Sequence, residues 1–234
     1  VHGFATPGVL PLAIEPGQWE TPPDAALMRQ LQDGKHNLLF VGRYSPNKCQ
    51  HHLVEAFAHY LVLDPDARLI LVGNGGSGDP YVQHLQQTID HHGLREHVVM
   101  PGHITDAQLH AYYRTAHLFW SMSEHEGFCV PLIEAMWFDI PILAYSSSAI
   151  PATLDGAGML LIDKTDLRTV ATAAKRLVDD SELRSKVLNA QRRRRETFLP
   201  QSVRPVLQAL IRQMEQLPTA LLATITLKAR TRVC

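Results

Sequence analysis

Between residues 37 and 162, short and nearly continuous apolar runs alternate with stretches of helical period, and no other feature constrains the fold as much. The runs are Leu38–Val41, Leu69–Val72, Val98–Met100, Leu118–Trp120, Ile142–Ala144 and Met159–Ile162. Between them, helices are expected near Gln50–Leu63, Tyr81–His92, Asp106–Arg114, Pro131–Phe138 and Pro151–Leu154. Leu53, Phe57, Tyr60 and Leu61 carry the period in the first of these. Strands without in-and-out alternation are apolar on both faces, so helices must cover both. The expected class is α/β, a doubly wound parallel sheet.

Flanking segments are less regular. Residues 1–36 contain Pro7, Pro11, Pro16, Pro22 and Pro23 and read as an entering linker or crossover, with a short helix near Asp24–Gln32. After the sheet, Leu167, Val170, Ala171, Ala174, Leu177 and Val178 define one face of a helix over 166–178, with Thr165 as its N-cap. A second helix runs from Ser181 to about Arg195, and Val206, Leu207, Leu210 and Ile211 mark a third beyond Pro200. The tail after Pro218 has no period and stays unassigned. The expected organisation is a linker (1–36), one Rossmann-like domain (37–200), and a terminal helix and tail (201–234).

Composition narrows the function classes. A hydrophobic content of 45% and a charged content of 19% describe an ordinary soluble protein. A formal net charge of −1 gives no overall field for nucleic acid or an anionic membrane. The three cysteines, Cys49, Cys129 and Cys234, are odd in number and lack CxxC spacing. That argues against a disulfide framework or a structural zinc and for a reducing, cytoplasmic setting. Histidine is abundant, yet no HExxH or compact ligand set is visible, so no metal is expected and His51-His52 and His91-His92 read as surface residues. Four successive arginines, Arg192–Arg195, fan around a helix by roughly 300° at ~100° per residue, which favours a solvated face. Contact with anionic lipid headgroups at the inner membrane face is the functional alternative.

The stretch from Glu124 to Met136, EHEGFCVPLIEAM, carries the densest chemistry. Glu126 and Glu134 lie eight residues apart; with a helix from Pro131, their Cα atoms are separated by at least about 12 Å. Cooperating glycosidase carboxylates stand roughly 5 to 9.5 Å apart, so this pair suits two contacts at the ends of one elongated ligand. Between them the free N–H groups around Gly127, Phe128, Cys129 and Val130 form a positive helix end for an anion. A nucleotide-sugar has this layout, with hydroxyls at both ends and phosphate between. His125 is a further candidate for sugar or phosphate contact. Upstream, Val41-Gly-Arg-Tyr-Ser-Pro-Asn-Lys48 puts Gly42, Arg43 and Lys48 between a strand end and a helix start, where open sheets bind ligands. Gly73, Gly75 and Gly78 spell GxGxxG, but Asp79-Pro80 intervenes before the helix and Asp90 falls inside it, so the acidic ribose partner of a dinucleotide site is missing.

EGFCVPLIEAM resembles the signature of the retaining glycosyltransferases of family 4. VGRYSPNK, VGNG and VMPGHI are similar to three further segments of that family, in the same order. The resemblance implies the C-terminal, donor-binding half of a GT-B enzyme, with the acceptor half preceding Val1. It further implies transfer of a hexose, with retained configuration, from a UDP-sugar or GDP-sugar to a glycan or lipid-linked acceptor, as in polysaccharide biosynthesis, with no metal. Glu126 would then contact the donor sugar and Glu134 the ribose hydroxyls. Arg43 and Lys48 would grip the diphosphate, Gly73 and Gly75 would let backbone approach the ligand, and Gly102, His103 and Ile104 would hold the base. A binding module needing a partner chain and a GT-B-like sugar-nucleotide isomerase are the alternatives. Departures are Cys49 and Cys129 in place of glycines, Trp137-Phe138-Asp139 in place of small residues and glycine, and Ser146–Pro151 in place of a glycine-rich loop.

Overall fold

The computed structural model describes residues 10, 12–76 and 78–215; the tail beyond them, with Cys234, lies outside. Gly17–Arg195 forms one compact unit, and residues up to 16 together with those from 196 form another.

In the larger unit six parallel strands form a single sheet. They are β1 (Asn37–Val41), β2 (Arg68–Val72), β3 (Val98–Val99), β4 (Leu118–Ser121), β5 (Ile142–Tyr145) and β6 (Met159–Leu161), in the order β3-β2-β1-β4-β5-β6. Eight helices accompany them: α1 (Ala25–Leu31), α2 (Gln50–Leu63), α3 (Pro80–His91), α4 (Asp106–Thr115), α5 (Val130–Trp137), α6 (Ile150–Leu154), α7 (Leu167–Asp179) and α8 (Ser181–Arg195). Successive strand residues point to opposite faces. Leu38, Phe40, Leu69, Leu71, Leu118 and Trp120 meet α2, α3 and α7 in one buried cluster. The intervening Leu39, Ile70, Phe119 and Ile142 are equally buried beneath the opposite layer, where α1 packs on α4 and α5 on α8. The expected doubly wound α/β fold is the observed one.

Local chemistry fixes the helix ends. Asp24 accepts from the N–H groups of Ala26 and Leu27 to start α1, and Thr105 with Gln108 forms a capping box on α4. Asp166, rather than Thr165, caps α7 by accepting from Arg168 and Thr169. The Thr165 hydroxyl is already engaged, donating to Asp163.

The arginine run is corrected by the structure. Arg192 and Arg195 both pair with Asp139, Arg195 also donates to the carbonyls of Met136 and Trp137, and Arg194 donates to those of Ala152 and Thr153. These are last-turn carbonyls of α5 and α6, where positive charge is favoured. Arg194 and Arg195 therefore fasten α8 to its neighbours instead of facing solvent, and Arg192 pairs with Asp139 while staying exposed. Gln191 completes the seam, accepting from Ile142 N–H and donating to the Ile140 carbonyl.

Asn37 is a polar hub in the core. Fully buried, it donates through Nδ2 to the Leu31 and Thr115 carbonyls, both at 3.0 Å, and accepts from Arg68 at 2.9 Å. Asn37→Ala orphans the two carbonyls and the Arg68 Nε–H, while Arg68 keeps its pair with Asp33, so a loss of about 3 kcal/mol is expected in urea unfolding.

In the smaller unit, Ile14 N–H donates to the Phe198 carbonyl at 2.8 Å. The Ser202 hydroxyl donates to the Glu196 carbonyl near the start of α9 (Pro200–Glu215). Among the described residues no helix is long and apolar enough to cross a membrane.

Candidate functional site

Strand order positions the site. β2 and β3 lie on one side of β1, whereas β5 and β6 lie beyond β4, so the chain reverses its winding between β1 and β4. Loops at the carboxyl ends of two such strands diverge and leave the crevice where open parallel sheets bind ligands. Residues 42–49 follow β1 and residues 122–129 follow β4.

The two loops are clasped together. Glu124 N–H donates to the Asn47 carbonyl at 2.9 Å, and Asn47 Nδ2 donates to the His125 carbonyl at 3.2 Å. Beside this clasp Lys48 Nζ lies 2.6 Å from Glu126 Oε2, with side-chain exposures of only 18% and 8%. A lysine at a helix start opposes the macrodipole, and the counter-charge beside Lys48 is Glu126. His125 is exposed, and its Nδ1 lies 3.4 Å from the Ser148 hydroxyl.

Both loops enter their helices through a left-handed residue. Cys49 has φ 52° before α2 and Cys129 has φ 66° before α5. Asp139 (φ 54°) and Ser148 (φ 46°) repeat the pattern at the other two departures. The turn that glycine would make is thus kept while glycine is replaced, at roughly 1–2 kcal/mol each for a side chain without local compensation. Asp139 is the most tolerant of these residue types. The buried Cys129 thiol is pushed up to about 12, first by burial and then by Glu126, with Lys48 opposing, so it is a protonated thiol and no nucleophile. The turn is held from behind, where the Thr153 hydroxyl donates to the Phe128 carbonyl at 2.7 Å. Gly127 and Val130 are exposed at its surface.

Arg43 lies elsewhere. It is exposed and, with Tyr44, Asn74, Gly75, Asp79 and His103, lines a groove of about 500 Å³. Four expected contacts, Arg43, Gly75, Gly102 and His103, therefore share one surface, and Ile104 is half-buried beside it. Gly73 has a packing reason of its own, because a Cβ there would collide with the Gly42 carbonyl oxygen and press on the Tyr44 ring. This close approach lets Gly42 N–H donate to the Val72 carbonyl at 2.9 Å.

Glu134 faces α4. Its Oε2 accepts from the Tyr113 hydroxyl at 2.6 Å. Burial pushes its pKa above the usual carboxylate range, with hydrogen bonds from Tyr113 and Trp19 opposing. Phe138 stacks on Tyr113 with centroids 5.0 Å apart, and Trp137 packs against Trp19 at 5.2 Å. The large residues that replace small ones after α5 thus build an aromatic wall around this carboxylate. Sequence reasoning missed Tyr113 and Trp19.

The profile of the glycosyl transferases group 1 family matches residues 28–194. The chain belongs to this family. Its sequence is 28% identical, over 73% of its length, to the GDP-mannose-dependent alpha-(1-6)-phosphatidylinositol monomannoside mannosyltransferase of Mycolicibacterium smegmatis, of which 47% is covered. It is 31% identical, over 69% of its length, to the D-inositol 3-phosphate glycosyltransferase of Kineococcus radiotolerans, of which 40% is covered. The chain thus spans less than half of each. Its fold matches that of Anabaena HepE, solved in complex with UDP and glucose, with a TM-score of 0.71 at 21% identity, over 88% of this chain and 56% of HepE. The fold is the Rossmann-like fold of GT-B glycosyltransferases.

Proposed function

We propose that this group 1 family member is the donor-binding half of a retaining glycosyltransferase that moves a hexose from a nucleoside diphosphate sugar to a glycan or lipid-linked acceptor. The observation carrying this reading is the Lys48–Glu126 pair at the carboxyl ends of β1 and β4, beside a helix start and within the crevice a donor would occupy. In this reading Lys48 and Arg43 take the diphosphate, aided by the N–H groups at Gly127–Val130, and stabilise the charge that develops as it departs. Glu126 orients the hexose, Glu134 accepts from the ribose hydroxyls, and His103 and Ile104 hold the base. No metal is needed for the step, because these cations and amides meet the leaving charge. One relative is named for GDP-mannose and one solved neighbour holds UDP and glucose, so both donor classes are retained. A cytoplasmic enzyme at the inner membrane face, working with an acceptor-binding GT-B domain, fits a lipid-linked acceptor.

Supplied with UDP-glucose or GDP-mannose and a glycan acceptor, residues 1–234 alone are expected to bind one nucleotide but transfer little sugar, since they span less than half the length of the relatives they match. Product analysis checks this. Robust transfer by residues 1–234 would overturn the expected incompleteness, and an isomerised donor formed without acceptor would overturn the transferase reading.

A further inference from the structure

The clasp between the two loops carries a second set of groups. Cys49 Sγ, a ring nitrogen of His52 and a carboxylate oxygen of Glu124 all lie within 4.8 Å of one another. Cys49 and His52 are one helical turn apart at the start of α2, so both point to one side, and Glu124 reaches them from the loop after β4. We propose that Cys49, His52 and Glu124 bind a borderline-soft divalent cation of the Zn²⁺ type. A thiolate, an imidazole and a carboxylate are the three ligand types that Zn²⁺ takes, with a fourth position left for water. Hard ions that require all-oxygen shells are disfavoured by this donor set. Sequence spacing conceals the site, because Glu124 is far from Cys-x-x-His in the chain and joins it only through the adjacency of β1 and β4.

The surroundings fit a site that competes with a built-in cation. Lys164 Nζ lies 2.8 Å from Glu124 Oε1 and 3.1 Å from the Met122 carbonyl, so its ammonium holds the carboxylate that the metal would take. Binding therefore exchanges Lys164 for the ion, and the Cys49 thiol gives up its proton to solvent as the metal–sulfur bond forms. His51 packs its ring against His52 at 4.1 Å and bonds to the Tyr81 hydroxyl at 2.9 Å, which supports the ligand ring from behind. The ion would staple the same two loops that Asn47 clasps and that carry Lys48 and Glu126.

Titration of the reduced, metal-free chain with Co²⁺ tests it. One ion per chain is expected, with a near-ultraviolet thiolate-to-cobalt charge-transfer band that Zn²⁺ abolishes. Glycine adopts the φ of Cys49 freely, so Cys49→Gly should fold and lose the band. His52→Ala, and the exposed Glu124→Gln, should weaken binding at least tenfold. Cys129→Ala and Cys234→Ala should leave the band in place, and Lys164→Met should tighten binding several-fold by removing the competing ammonium. Absence of the band in the wild-type chain, or its survival in Cys49→Gly, overturns the proposal.

Discussion

Lys48→Ala is expected to weaken binding of UDP or GDP by about 10- to 100-fold, since a charge-assisted contact is worth roughly 1.5–3 kcal/mol. UMP and GMP should change far less, because they lack the distal phosphate. The same substitution strands Glu126, which is 9% exposed. Breaking a buried pair by removing one partner costs about 3–5 kcal/mol, so urea unfolding should show a large loss of stability as well. These two effects separate in the double variant Lys48→Met with Glu126→Leu. Replacing both charges by apolar groups restores much of the stability but none of the diphosphate preference. Recovery of nucleotide affinity together with stability would mean that Lys48 serves the fold and not the ligand.

Glu134→Gln is expected to act in opposite directions on stability and on binding. Burial raises the folded-state pKa of Glu134, so the sign follows from proton counts. Below the ordinary carboxylate range both folded and unfolded states hold the proton and the residue is neutral to stability. As pH rises through the interval between the ordinary value and the raised folded one, the unfolded state releases its proton first, and stability falls with pH. Above that interval the penalty is complete. Glutamine carries no such penalty and can still accept from Tyr113, so the variant should match wild type in acid and exceed it at neutral pH in denaturant titrations. Binding should move the other way. A carboxylate accepts from both ribose hydroxyls whereas the amide presents one acceptor oxygen, and nucleotide affinity should fall at least tenfold. The advantage of ribonucleotide over 2′,3′-dideoxynucleotide should shrink with it. A variant that loses stability and keeps its affinity would assign Glu134 to the α4–α5 packing alone.

The sheet was legible because its strands are buried on both faces. Leu38, Leu39, Leu69 and Ile70 leave no water-facing alternation, and the pattern admits few other folds. Helix ends were less legible where several caps compete, as at Asp163, Thr165 and Asp166, whose composition suits any of three starts. The arginines after Gln191 misled because a charge run carries no record of which carbonyls lie beneath it. Asp139, Ala152 and Thr153 become partners only once α8 lies across α5 and α6. At the site, the residue types at 43, 48, 126 and 134 could be read off the chain, but their grouping could not. Lys48 meets Glu126 because β1 neighbours β4, whereas Arg43, one turn earlier, faces the groove with His103. The left-handed turns at Cys49, Cys129, Asp139 and Ser148 show a further limit. The sequence shows only that glycine is absent at these positions, whereas the backbone keeps the positive φ that glycine would take.

Calorimetric titration of the chain with UDP and with GDP, in EDTA and alongside Glu134→Gln, tests the donor-binding account most directly. One nucleotide should bind with a stoichiometry of one, unaffected by EDTA and at least tenfold more weakly in the variant. Failure of both to bind, or binding that the variant leaves unchanged, would contradict a donor site built on these two loops.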